Sequence, residues 1–314
     1  MARSSAARTA RSKRASEGSP TARRPAARRG PDVELHHPEQ LWWPDVGLRK
    51  RDAIEYYLAV APVLLAHLRD RPLTIKRHYN GPRSPFEWIK DAPAEVPSWI
   101  RRVPLPAKSR GGAPVRYLVV ENAEGLAWVV DFGAVDLHVW TSRADRPERP
   151  DSVLFDLDPA GVEFADVVRA ALLLREALEA LGLESVAKTT GGDGLHVHVP
   201  IARRYGYDEV RNFVNAVAVA LRRAAPDLVT TERSPSRRRG VYVDAKMNGH
   251  GQQVVAPYSL RPFLGAPVAA PLRWDEVHEG IDPLAFTPPE VLARVRREGD
   301  LFAVALRGRQ RLPF

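Results

Sequence analysis

Three aspartates and a pair of histidines stand at spacings that could do chemistry. The segment "DSVLFDLDP" carries Asp156 and Asp158 one residue apart, "GLHVHVP" carries His196 and His198 in the same alternation, and "GVYVDAK" ends near Asp244. Side chains two apart on a strand share a face, so each pair projects to one side of its strand. Carboxylates gathered at such separations repel one another unless positive charge lies between them. A divalent cation is the simplest such charge. Oxygen donors beside imidazole suit Mg²⁺ or Mn²⁺, and two such ions can clamp the attacking and leaving oxygens of a phosphoryl transfer. An isolated D-x-D has another reading, a cap for the helix that follows Pro159, and the third carboxylate and the histidines weigh against it. The turn "TTGGDG" between two of these strands has glycines whose amides could approach phosphate oxygens. A plain hairpin explains them equally well.

The elements that must hold these residues follow a recognisable order. From Asp151 to about Leu260 the pattern reads strand, helix (Glu163 to Leu181), strand, strand, helix (Asp208 to Ala225), strand, a β-α-β-β-α-β unit of ferredoxin or RRM type. Right-handed crossovers set the first strand of such a unit beside the third and fourth. Val153, Phe155 and Leu157, with Leu195, Val197, Val199, Val241 and Val243, are then expected toward the helices, and the acids and histidines on the open face. Ahead of this unit, apolar residues from Ile54 to Leu68 recur at three and four and predict a helix over 49–69. A short strand over Leu73 to Lys76, a Pro/Gly-rich loop, an aromatic and basic segment with Phe86, Trp88 and Lys90, and strands at "VRYLVV" and "LHVW" around a helix near Gly125 to Phe132 complete an N-terminal α/β half. Aromatics interleaved with basic residues suit base stacking, or they pin a loop to the core. The fold class expected is α/β (α+β).

Composition narrows the function classes. The 314 residues contain no cysteine, which excludes disulfides, thiolate nucleophiles and cysteine-ligated metals. No apolar run reaches the ~20 residues of a membrane span and no signal-peptide core is present, so a cytoplasmic, nucleoid-associated protein is expected. The net charge is +9, and residues 1 to 30 hold nine Arg and Lys against Glu17 alone, eight of the nine net charges. That stretch lacks large apolar residues after Met1. A disordered basic tail over residues 1–31 is expected, with polyanions as its natural partner; a solvating tail or a region upstream of the true start are the other readings. Residues 32–314 are expected to form the catalytic domain, with about 150–262 as its RRM-like half.

Together the motifs "RPLTIKR", "LHVWTSR", "VLFDLDP", "KTTGGDGLHVHVP", "VYVDAKMN" and "VVAPYSLR", in order between Val33 and about Trp274, resemble the archaeo-eukaryotic primase superfamily, specifically the primase-polymerase domain of bacterial ligase D. The resemblance implies a primase-polymerase core that transfers nucleotides to primer ends under DNA direction, prefers ribonucleotides, uses two Mn²⁺ or Mg²⁺ ions and works at gaps or breaks. It implies Asp156, Asp158 and Asp244 as catalytic metal ligands. Lys76, Thr190, Gly192, His196, Arg237 and Arg261 would surround the nucleotide and its triphosphate, with His138 near the sugar. Trp88 would stack on the template beside Arg77 and Lys90, and Lys50 would belong to a 5′-phosphate pocket. Implied partners are gapped or ended duplex, primer-template and nucleoside triphosphates, with Ku and a separate DNA ligase if the role is end joining. A stand-alone member is expected. The sequence departs from the family at Asp193, where a lysine is usual, at Glu87 in an aromatic pair, and at His37 and Gln40 in the phosphate pocket. A non-catalytic DNA-end-binding or bridging protein and a metal-dependent phosphoesterase remain as alternatives.

Overall fold

The computed structural model describes residues 33–106 and 111–313; the basic stretch expected to be a flexible tail lies outside the described residues. A short antiparallel pair, β1 (Leu41–Trp43) and β2 (Leu48–Arg49), leads into α1 (Lys50–Leu68). Then come β3 (Leu73–His78), β4 (Phe86–Ile89), β5 (Arg101–Pro106), β6 (Pro114–Val119), α2 (Ala123–Asp131) and β7 (Ala134–Val139). The second half runs β8 (Ser152–Ala160), α3 (Phe164–Ala180), β9 (Val186–Thr189), β10 (Leu195–Pro200), α4 (Tyr207–Ala224), β11 (Val229–Thr230) and β12 (Gly240–Val243). It closes with β13 (Val254–Val255), β14 (Pro271–Leu272) and α5 (Pro288–Glu298).

Local chemistry accounts for these limits. The Arg49 amide donates to the Asp52 carboxylate at 2.6 Å and opens α1, and Arg71-Pro72 follows its end because proline disfavours helix in the residue before it. Ile54, Tyr57, Ala61, Leu64 and Leu68 are buried as the three-and-four spacing requires. Asn122 caps α2 by accepting from the Gly125 amide. No helix of the described residues is long and apolar enough to cross a membrane.

Two sheets carry the site. The C-terminal sheet has the order β11-β12-β8-β10-β9-β14, so β8 lies between β10 and β12 as the β-α-β-β-α-β reading requires. Val153, Phe155, Leu157, Leu195, Val197, Val199, Val241 and Val243 enter the core with α3 and α4 behind them. The two-residue strands β11 and β14 extend this sheet beyond the expected four. The N-terminal sheet runs β13-β7-β3-β6-β5, with β4 paired to β3. Here the expectation is amended twice. The strand read over Leu73 to Lys76 continues to His78, and the aromatic segment is itself a strand, pairing Lys76 with Trp88 and His78 with Phe86. The segment between β13 and β14 belongs to both sheets, since Val255 pairs with His138 on β7 while Pro271 pairs with Lys188 on β9.

Candidate active site

The open face of the C-terminal sheet gathers charge in one register row. Asp156 on β8 lies opposite His196 on β10, which lies opposite Lys188 on β9. All three side chains are buried, and His196 Nε2 is 3.1 Å from Asp156 Oδ1. Burial raises the Asp156 carboxyl to about 6 against the opposing pull of Lys188 and Arg261. The Lys188 ammonium is held well below its ordinary value by burial and by Arg261. Burial likewise lowers His196, so its imidazole is neutral and its Nδ1 is buried with no partner among the described residues.

One step along β8, Asp158 lies opposite Tyr242. Its carboxyl rises to about 7, first through burial, then through repulsion from Asp156, Asp244 and Asp193, with Arg238 opposing. Asp244 is placed differently from the strand position read in "GVYVDAK". Strand β12 stops at Val243, the Asp244 amide donates to the Asp156 carbonyl at 3.0 Å, and its carboxylate caps a 3-10 turn by accepting from the Lys246 amide at 2.9 Å. The three acids therefore lie within one another's field, and oxygen donors whose charge is this poorly compensated fit a hard divalent cation. Among the described residues no three His, Asp or Glu side chains converge on a single point.

His198, expected beside His196, is withdrawn from the site. Its Nδ1 is 3.0 Å from Ser152 Oγ and Phe302 packs edge-on against its ring. The glycine turn is also more structural than its sequence suggests. Thr190 Oγ1 accepts from the Gly192 and Gly194 amides at 3.2 Å each, so the Gly192 amide is already engaged. Gly191 has φ +70°, and a Cβ there would fall 2.4 Å from Arg261 Cγ. Only glycine lets Arg261 lie against the turn. Arg261 Nε is buried with no partner among the described residues. Its charge is felt by Asp156 on one sheet and Asp136 on the other, so this side chain joins the two halves of the site.

On the N-terminal sheet, His138 Nε2 is 2.9 Å from Asp136 Oδ2 and Trp88 stands edge-on to the His138 ring at 5.0 Å. Lys76 Nζ is 3.5 Å from the same Asp136 oxygen and 4.2 Å from the Phe86 ring. Asp136 is fully buried; although desolvation pushes its carboxyl up, the hydrogen bond with His138 and the nearby His78 imidazole, 3.9 Å away, hold it well below the usual carboxylate range. Burial lowers His138, with Asp136 opposing. Trp88 and Lys90 are exposed. Arg77 points away from them, stacked 3.7 Å over Phe132 and donating to the Phe132 carbonyl. Arg237 is exposed and paired to Glu232 at 3.2 Å.

A cavity of about 490 Å³ beside α2 holds the residues read as a phosphate pocket, His37, Gln40 and Lys50, together with Arg77. Lys50 is not available as read. Its Nζ is 2.8 Å from Asp131 Oδ1 and donates to the His36 carbonyl, and the same carboxylate meets His36 Nδ1 at 2.8 Å. Asp131, Asp136 and Lys188 are the site residues that sequence reasoning passed over. For Asp136 the signal was present, because D-x-H in "VDLHV" puts it on the His138 face.

Comparison with known proteins gives one consistent result. The family described as LigD, primase-polymerase domain, matches residues 49–302. The multifunctional non-homologous end joining DNA repair protein LigD of Mycobacterium tuberculosis is 33% identical over 280 residues, covering 86% of this chain and 36% of that protein. The bifunctional non-homologous end joining protein LigD of Bacillus subtilis is 30% identical over 253 residues, 80% of this chain and 40% of that one. The chain thus spans less than half the length of these relatives. Among solved structures, the polymerase domain from Mycobacterium tuberculosis ligase D in complex with DNA superposes with a TM-score of 0.81 at 32% identity, covering 87% of this chain and 98% of that domain.

Proposed function

The chain belongs to the LigD primase-polymerase domain family, and from that premise we propose that it is a DNA-dependent nucleotidyltransferase of DNA repair, extending primer ends at gaps or breaks and favouring ribonucleotides. The observation that carries this reading is the charge layout of the open sheet face. Asp156, Asp158 and Asp244 are mutually repelling acids on one side of an open face whose other side carries Arg261 against the glycine turn. Such a polarity suits an α-phosphate passing between an attacking hydroxyl, near the acids, and a departing pyrophosphate, near the cationic side.

The proposed division of labour follows from it. Asp156, Asp158 and Asp244 would hold two Mn²⁺ or Mg²⁺ ions, which when bound neutralise charge on the attacking and leaving oxygens. Lys76 and Arg261 neutralise the triphosphate, with Thr190 and Gly192 shaping the turn against it and Arg237 reaching it from the exposed loop before β12. His196 accepts at its open Nδ1. His138, its Nε2 fixed by Asp136, stands against the sugar, and Trp88 stacks on a template base with Lys90 on the strand's phosphates. In this reading the protein acts in the cytoplasm on the nucleoid with Ku and a separate DNA ligase as partners.

Purified protein, a labelled gapped duplex, Mn²⁺ or Mg²⁺, and each ribo- or deoxynucleotide set test the reading in one gel. Template-matched extension, greater with ribonucleotides and lost in Asp158→Ala, is expected. Binding without extension would instead fit a bridging protein, and nucleotide loss without primer growth a phosphoesterase.

A further inference from the structure

The outer end of the glycine turn carries no positive charge: residues 190–194 read Thr-Gly-Gly-Asp-Gly. We propose that the protein holds only the two inner phosphates of its nucleotide and therefore uses ribonucleoside diphosphates as well as triphosphates, a widening of the substrate class that rests on the nucleotidyltransferase reading.

The turn lies directly against the acids. A Cβ on Gly194 would fall 3.4 Å from Asp158 Oδ1 and 2.8 Å from the Leu157 carbonyl oxygen, so a phosphate chain leaving the acids on this flank passes along the turn. Glycine turns hold phosphate through free amides. Here three of the five amides are closed inside the turn, since those of Gly192 and Gly194 donate to Thr190 Oγ1 and that of Thr190 donates to the Gly194 carbonyl at 3.0 Å. The one ionisable side chain in the turn is the exposed Asp193, and it adds to the repulsion on Asp158.

The loop over the turn supplies no cation either. Residues 262–266 read Pro-Phe-Leu-Gly-Ala, and a Cβ on Gly192 would stand 3.4 Å from Phe263 Cε2. That ring is half exposed, and its loop is fixed on both sides of it: the Phe263 carbonyl accepts from Trp43 Nε1 at 2.9 Å, and the Gly265 amide donates to Asp45. The cations lie deeper. Arg261, its Nε buried, acts on Asp156 and Asp136, and Lys76 Nζ is 3.5 Å from Asp136. Arg237, which the nucleotidyltransferase reading brings in from the loop before β12, is exposed and already shared with Glu232. An aromatic ring and a carboxylate thus line the place a third phosphate would take. A site built to bind a group rejects the analogue that lacks it, whereas a site with nothing for that group has no means of doing so.

With a diphosphate, the primer 3′-hydroxyl forms its bond to the α-phosphorus as the bond from that phosphorus to the bridging oxygen breaks. The bridging oxygen leaves on the β-phosphate, and the hydroxyl proton ends on the released hydrogenphosphate.

Primer extension on a gapped duplex with Mn²⁺ and a templating thymine tests this, comparing kcat/KM for ATP and for ADP freed of ATP by glucose and hexokinase, with orthophosphate and pyrophosphate assayed separately. ADP should be used within about five-fold of ATP, the worth of one exposed ionic contact, with one orthophosphate released per nucleotide added. The double variant Asp193→Lys/Phe263→Arg places two cations at the outer end, both at exposed positions, and should raise the preference for ATP about 25-fold, five-fold for each. A wild-type preference for ATP beyond about 25-fold, the worth of two such contacts, overturns the proposal. So does pyrophosphate release in the ADP reaction, or a double variant whose preference equals that of the wild type. Extension with neither nucleotide would instead overturn the nucleotidyltransferase reading.

Discussion

Asp156→Asn should make the metal-free protein more stable at alkaline pH while removing its activity. The folded-state carboxyl stands at about 6 against an ordinary 3.8. A carboxyl raised on folding contributes its full stability below about pH 4, and that contribution is lost as pH rises through about 6. Moving from 3.8 to about 6 corresponds to about 3 kcal/mol of penalty for the ionised form. The isosteric amide removes it. Its two N–H groups need partners that the carboxylate did not, which offsets about 1 kcal/mol and leaves about 2 kcal/mol in favour of the variant. For a domain of this size that is a rise in Tm of roughly 4 °C. Thermal unfolding with a chelator at pH 5 and pH 8 measures it. The variant should melt higher at pH 8, and the gain should shrink to about a third at pH 5 and vanish below about pH 4, where the carboxyl is protonated in the folded and unfolded states alike. Excess Mn²⁺ should reverse the order at pH 8, because only the wild type gains stability by binding it. A stability difference that is the same at both pH values would refute the reasoning, since it would place the effect in packing and not in ionisation.

Two other substitutions probe the departures from the family pattern. Asp193→Lys exchanges an exposed anion that repels Asp158 for a cation, and triphosphate affinity measured by titration should rise about five-fold, the worth of an exposed ion pair near 1 kcal/mol; unchanged affinity would show that this side chain does not face the triphosphate. Asp131→Asn keeps a hydrogen-bond acceptor for Lys50 and His36 but releases the Lys50 charge. Wild-type protein should extend gaps with a downstream 5′-phosphate or 5′-hydroxyl at similar KM, and the variant should prefer the phosphate roughly five-fold; a strong preference in the wild type would show that Lys50 is free despite its partner.

The legible part of this molecule is what strand alternation encodes. Val153, Phe155 and Leu157 are apolar at every second position, so the opposite parity of Asp156 and Asp158 follows from geometry, and the structure keeps both faces as read. Two-residue strands such as β11 and β14 carry too few residues for any period to show. Lys188 in "ESVAKT" has no local signal of burial, yet it is fully buried, with Arg261, from more than seventy residues later, in its field. The resemblance puts Lys50 in a 5′-phosphate pocket, and the carboxylate that neutralises it comes from the far end of α2. Long-range neutralisation leaves no local mark in the chain. The same holds for Asp244, whose carboxylate turns to the Lys246 amide because β12 ends one residue early.

The ribbon from β13 to β14 has a temporal consequence. It pairs with β7 across more than a hundred residues, then with β9, and between these two pairings it carries Tyr258, whose carbonyl accepts from Tyr56, and Arg261. Closing contacts of that span is slow, because the chain entropy is lost before the contacts form. During synthesis, β8 to β12 can assemble the acids as soon as they emerge, but Arg261 reaches them only after Leu272 has been made. The nascent chain therefore acquires its anionic centre, with Lys76 already made, before Arg261, and a ribosome-bound fragment ending near residue 250 should carry folded acids with a weakened grip on a triphosphate.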